Sequence, residues 1–226
     1  MARSLLLSTI LLALFATGGS GCAPTHAGRT IGAGVLQLEG NLGGPFLRNL
    51  GPPLPAPNLP VGARYGITDR IDASAHLNLL PLSMGGFMAL DAAATFALVR
   101  HEGRSGPNLA TQIGGALLTD FESGARISPT ADLAGGYTFG WLTPFAGAEF
   151  AVDAWGGRVL GNFFAGLEAD IGHWTVAASG VWFTPWFDTY SSVVDYVSPG
   201  RMGAVGGLLG LKYRFHLGGE KEGGRE

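Results

Sequence analysis

Apolar and polar residues alternate with a period of two along much of the chain. The alternation is clearest through Tyr65-Gly66-Ile67-Thr68-Asp69-Arg70-Ile71-Asp72-Ala73-Ser74-Ala75-His76. Leu59, Val61, Ala63, Tyr65 and Ile67 share one face, and Ile71, Ala73, Ala75, Leu77 and Leu79 continue it after a polar turn. The opposite face carries Gly62, Arg64, Gly66, Asp72, Ser74, His76 and Asn78. Successive side chains of a strand point to opposite sides, so this segment predicts a tight hairpin with one greasy and one charged surface. Similar stretches near residues 29–40, 58–67, 71–80, 87–99, 108–118, 130–139, 143–152, 160–171, 174–184 and 203–217 predict about ten strands, of the length a tilted membrane-crossing strand needs. Beyond the N-terminal leader, no stretch offers the roughly 18 uninterrupted apolar residues of a membrane helix.

The connections sort into two classes. Brief ones at 68–70, 140–142 and 172–173, with a longer one at 100–107, fall at one end. Long ones at 41–57, 81–86, 119–129, 153–159 and 185–202 fall at the other. That regularity predicts an all-β fold, a transmembrane antiparallel up-and-down β-barrel with its greasy face toward lipid and its charges inside. Aromatic residues divide between two rims: Tyr65, Phe96, Tyr137, Phe139, Trp174, Tyr213 and Phe215 toward the short turns, Phe87, Phe150 and Trp182 toward the long loops. A soluble β-sandwich, its greasy faces packed on a second sheet, is the alternative architecture.

Composition narrows the function classes. With 46% hydrophobic and 14% charged residues in 226, the chain is too apolar for disorder, and its 38 glycines show no collagen period. A formal net charge of -3 leaves no basic footprint for nucleic acid. Met1-Ala2-Arg3 followed by the apolar run from Leu5 to Phe15 reads as an export signal, and the single cysteine, Cys22, follows Gly18-Gly19-Ser20-Gly21. This arrangement resembles a bacterial lipoprotein signal. The resemblance implies lipidation of Cys22, a signal peptide over 1–21 and a linker over 22–28, and Ala23 is compatible with passage to the outer membrane. The alternative is an ordinary signal peptide cut after Ala27. The barrel would then span 29–217 and a polar tail 218–226.

Over residues 29–217 the pattern resembles the small bacterial outer-membrane β-barrel proteins, with the Tyr-Gly-Ile-Thr-Asp-Arg hairpin as its sharpest element and an aromatic-rich final strand like their closing strand. The resemblance implies a bacterial outer membrane with a periplasmic N-terminus. It also implies lipid, lipopolysaccharide and the barrel-assembly machinery as partners.

Strand parity predicts a lumen polar network of Arg64, Asp72, His76, Asp91, Asp132, Glu168, Asp170, Lys212 and Arg214, joined by Gln37, Glu39, Gln112 and Glu149. Buried cations need carboxylates beside them, and closure of the barrel brings Lys212 or Arg214 next to Gln37 or Glu39. A network that fills the lumen implies a structural or surface role. A wetter lumen with excess carboxylate implies a narrow cation-favouring passage. Asp72, Ser74 and His76 share a strand face like an acid, nucleophile and base, yet no oxyanion site accompanies them. The outer-rim carboxylates Asp120, Glu122, Asp153, Asp188 and Asp195 lack the histidine that ten-stranded surface proteases pair with theirs. The expectation is therefore no enzyme, no cofactor and no metal. The loop at 185–199, which opens Pro185-Trp186-Phe187 and closes on Pro199, is apolar enough either to dock a surface partner or to fold over the barrel mouth.

Overall fold

The computed structural model describes residues 26–48, 53–56, 58–85, 88–101, 103–119, 124–152, 157–189 and 195–217. The expectations for 1–21, Cys22 and the tail at 218–226 lie outside them, as do Phe87, Asp120, Glu122 and Asp153.

The fold is a closed antiparallel barrel of ten strands with one short extra strand. In chain order these are β1 (Val35–Leu47), the two-residue β2 (Leu54–Pro55), β3 (Pro60–Gly66), β4 (Ile71–Asn78), β5 (Met88–Val99), β6 (Ser105–Thr119), β7 (Ala125–Phe139), β8 (Leu142–Val152), β9 (Val159–Ile171), β10 (Trp174–Asp188) and β11 (Met202–His216). A seven-residue helix α1 (Leu79–Gly85) joins β4 to β5. Apart from β2, which pairs only with the end of β1, each strand pairs with its neighbours in sequence, and β11 closes on β1 from Val35↔His216 to Pro45↔Gly206. Closure leaves no barrel edge to template aggregation.

The register also sets the size. Leu142, Ala169, Val176, Leu211, Gly40, Val61, Leu77, Leu90, Leu117 and Ile127 are linked pair by pair around the barrel. Ile127 stands three residues beyond Thr130, which faces Ala151, so one circuit displaces the register by about 12 residues. Ten strands with that stagger tilt by about 40° and enclose a lumen of roughly 10 Å radius at Cα, enough for side chains and one further segment. Apart from Gly40, every member of the row is apolar, and each sits at an outward position.

The two strand faces differ in kind. Large apolar side chains lie exposed on the outside, Ile113, Leu209 and Ile127 at 58–63% among them, whereas the largest fully buried side chains are His76, Thr95, Thr143, Thr175 and Asp72. The interior also contains an apolar cluster of Ala27, Ala134, Phe145, Phe164, Val181 and Leu208 with Phe183 against it, which the strand patterning had not singled out.

The first strand differs from its sequence-based bounds. It was expected over 29–40, but β1 begins at Val35, and residues 26–34 enter the lumen at the short-turn end. The alternation itself fails there. Extending the outward parity of Leu36 and Leu38 back would place Thr30, Gly32 and Gly34 toward the outside, and none of them is a large apolar residue.

Candidate functional site

Sequence-expected and unexpected residues together build the lumen. At the short-turn end, Arg64 on β3 donates through Nε to Asp72 Oδ2 across the hairpin at 2.9 Å, and the same oxygen accepts from the Ile31 amide at 2.9 Å. The two residues are 5% and 0% exposed, so each answers the other's charge in a site water does not reach. On the facing wall, Lys212 pairs with Glu168, and Arg214 pairs with Asp170 and donates to Thr175. Thr175 in turn donates to Asp170. The seam register puts Lys212 opposite Glu39 and Arg214 opposite Gln37, as closure required. The side chains nevertheless turn to the β9 carboxylates, where Arg29 from the inserted segment joins them.

Arg29 Nη2 lies 3.1 Å from Glu168 and 2.8 Å from Asp170. Its carbonyl oxygen accepts from Arg64 at 3.1 Å, which ties the two charge groups together. His26, expected in a linker near the periplasmic end, is 3% exposed and lies 2.8 Å from Asp132 through Nε2. The Gly28 amide donates to His26 Nδ1 at 3.2 Å, which fixes Nδ1 as acceptor and Nε2 as the protonated nitrogen facing Asp132. Gly28 has φ +68°, and a Cβ there would stand 2.4 Å from the Ala134 carbonyl oxygen, so only glycine fits this close approach.

Deeper in, both ring nitrogens of His76 face carboxylates: Nε2 is 2.5 Å from Glu39, and Nδ1 is 2.8 Å from Asp91. Both can donate only when the ring carries two protons. Gln37 donates to Glu39 at 3.1 Å, and Asn162 donates to the buried Glu149 at 2.9 Å. The nine network residues named from parity all lie inside, but they form separate groups around Asp72, His76, Asp132 and the β9 carboxylates. Gln37, Glu39, Gln112 and Glu149 belong to the same interior.

Asp72, Ser74 and His76 do not come together. Asp72 is held by Arg64, His76 by Glu39 and Asp91, and Ser74 accepts from Gln112 at 3.2 Å. Among the described residues, no group of three or more His, Cys, Asp or Glu side chains could hold a metal ion.

At the long-loop end, residues 185–188 of the expected loop extend β10, with Trp186 on the outer face, and the described part around Tyr196 folds over the mouth. Tyr196, 4% exposed, packs on Ala204 with Leu47 and Phe183, and bridges to Leu47. The Val197 amide donates to the Phe46 carbonyl at 2.9 Å. Trp186 stacks on Phe150 at 6.4 Å and donates to the Val159 carbonyl at 3.0 Å. The rest of the loop lies outside the described residues. At the short-turn rim, Trp174, Tyr213 and Phe215 form an edge-to-face chain at 4.6 Å between neighbours, and Tyr137 and Phe139 pair at 4.5 Å. Asp69 in the β3–β4 turn is held below the usual carboxylate range by the Arg100 guanidinium and then by the Ala33 amide.

No family model matches the chain, and no curated protein matches it. Solved structures similar to it carry low identity. OccD1 (OprD) is 13% identical with a TM-score of 0.34 over 80% of this chain, which spans 66% of that protein, just under two thirds of its length. The outer membrane protease OmpT from Escherichia coli is 12% identical, TM-score 0.36, over 81% of this chain and 94% of that one. The OmpT of Vibrio cholerae is 10% identical, TM-score 0.34, over 80% and 96%.

Proposed function

We propose that this protein is a bacterial outer-membrane β-barrel with a structural or surface role and no covalent chemistry. One observation carries the reading: the barrel is inside out relative to a water-soluble protein, with exposed Leu, Ile, Val and aromatic side chains outside and paired charges within. Water penalises that outer face, and hydrocarbon does not. Aromatic groups near both rims suit the two interfaces of a bilayer. In this placement the short turns and the start of β1 face the periplasm, and Cys22 carries the lipid of a lipoprotein. Outer-membrane lipid, lipopolysaccharide and the barrel-assembly machinery are the partners.

The test is electrophoresis of detergent-extracted protein with and without boiling. A folded barrel migrates differently before boiling, and a monodisperse acyl-free chain in plain buffer would refute the membrane placement. Palmitate labelling should vanish in Cys22→Ala. The separate engagement of Ser74 and His76 supports the non-enzymatic reading, and hydrolysis of a lipid or peptide substrate that Ser74→Ala abolishes would overturn it.

A second reading, a narrow cation-favouring passage, draws on the deeper lumen, where the carboxylates Glu39, Asp91, Asp132 and Glu149 gather. Tyr196 at one end and residues 26–34 at the other favour the filled barrel over this passage. Steady planar-bilayer conductance of the wild-type protein would reverse that preference.

A further inference from the structure

We infer that residues 26–34 are a docked internal ligand, and that the short-turn half of the lumen is a binding vestibule for a short basic peptide. This goes beyond the structural role above and does not depend on whether the outer face meets lipid.

The barrel wall is complete without this segment. Every rung of the β1–β11 seam lies at Val35 or later, and β3 pairs with β1 from Leu36 onward. Among the described residues, backbone-to-backbone bonds join the segment to the wall only at its hinge, where Gly34 donates to the Gly66 carbonyl and accepts from Leu217, at 2.9 Å each. Beyond the hinge the segment is held as a ligand is held, through side chains. The Arg29 guanidinium sits between two carboxylates, the His26 imidazole meets Asp132, the Ile31 amide meets Asp72, and the Thr30 hydroxyl donates to the Asp69 carbonyl at 2.7 Å. His26, Ala27 and Thr30 are buried to the degree of core residues.

The wall is shaped for a backbone rather than for side chains. A Cβ on Gly66 would lie 1.7 Å from the Gly32 carbonyl oxygen, so the wall is left bare where the segment passes. Around Arg29 the receptor side also balances its own charge. With the segment withdrawn, Glu168 and Asp170 keep Lys212 and Arg214, and Asp72 keeps Arg64, while Asp132 gives up His26 and keeps the Gln112 amide. A guanidinium nevertheless has two oxygen acceptors waiting, a geometry that favours arginine over lysine. Tethering gives the native segment a high effective concentration, which keeps the site occupied against ligands in trans.

The test expels the segment within the full-length chain and offers it back. Gly28→Val drives a side chain into the Ala134 backbone, and Arg29→Glu sets a carboxylate against Glu168 and Asp170. Folding is checked by migration before and after boiling. A fluorescent peptide of residues 26–34 should bind the Gly28→Val/Arg29→Glu barrel saturably in detergent and be displaced by unlabelled peptide. Wild type, already occupied, should not bind it. Replacing the peptide's arginine by glutamine should weaken binding by about tenfold or more. Should the double variant not fold, Arg29→Glu alone, which adds nothing to the packed backbone at Gly28, is tested in the same way. Failure of the peptide to bind a folded variant, equal binding to wild type, or indifference to the arginine would each overturn the inference. None of these outcomes bears on the membrane placement.

Discussion

The two faces of β9 and β10 show how one backbone serves two environments. Outside lie Phe163, Leu167, Ile171, Trp174 and Val176, each between 44% and 62% exposed. Inside lie Asn162, Glu168, Asp170, Thr175 and Ser179, all at least largely enclosed. Ring contacts such as Trp174 on Tyr213 aside, the outer face depends chiefly on the solvent it meets. Asn162, Glu168, Asp170 and Thr175 inside each depend instead on a polar neighbour, most of them on another strand. The outer face should therefore tolerate changes of shape but not of charge, while the inner face should be sensitive to single atoms.

The largest effect is expected inside. Asp72→Ala strands the buried Arg64 guanidinium and the Ile31 amide and should cost about 3–5 kcal/mol, read as a lowered urea midpoint of the detergent-folded barrel. Asp72→Leu combined with Arg64→Met removes both charges and should recover much of that loss. If the double variant is no better than the single, the pair is not the unit of stability.

Outside, Ile113→Arg should cost about 2–4 kcal/mol in liposomes if the residue meets the bilayer midplane, and within about 0.5 kcal/mol if it meets water. The same urea titration in vesicles thus tests the membrane placement directly. A smaller loss, about 1 kcal/mol, is expected for Thr175→Val, which keeps the volume but removes the hydroxyl between Asp170 and Arg214. Its outward neighbour Val176→Thr sharpens the contrast, since in lipid that hydroxyl gains no partner.

The smallest effect belongs to the rim. The Asp69 carboxyl is depressed below its ordinary value of 3.8 by the Arg100 and Ala33 hydrogen bonds, so its contribution to stability is present above pH 3.8 and is lost as pH falls further, through the folded value. Asp69→Asn should leave the midpoint at neutral pH nearly unchanged and flatten its decline below pH 3.8. An unaltered acid decline would exclude Asp69 as a contributor.

Much of this was legible in the chain. The hairpin around Thr68-Asp69-Arg70, the two classes of connection and the lumen positions of Asp72, His76, Glu168 and Lys212 all follow from a period-two pattern, because a strand's faces are fixed by local geometry. That Lys212 or Arg214 lies beside Gln37 or Glu39 at the seam followed from strand order, and the register between them did not. The inserted segment was not legible as such, since Arg29-Thr30-Ile31 makes no rung of the ladder and local pattern says nothing about where an unpaired stretch goes. Nor did parity single out Phe145, Phe164, Val181 and Leu208 as an interior cluster, because it reports which side a residue faces and not what it meets there.

The sequence by itself therefore determined the strands, their faces and the sign of each surface, since these depend on residues two apart. Beyond the hairpin pair Arg64–Asp72, the tertiary structure decided the partners. Lys212 meets Glu168, Arg29 bridges two β9 carboxylates and His26 reaches Asp132 because strand packing and the inserted segment bring together groups more than 40 residues apart in the chain. The physical reason is that charge pairing in the lumen is selected by distance in space, which the period of a strand does not encode.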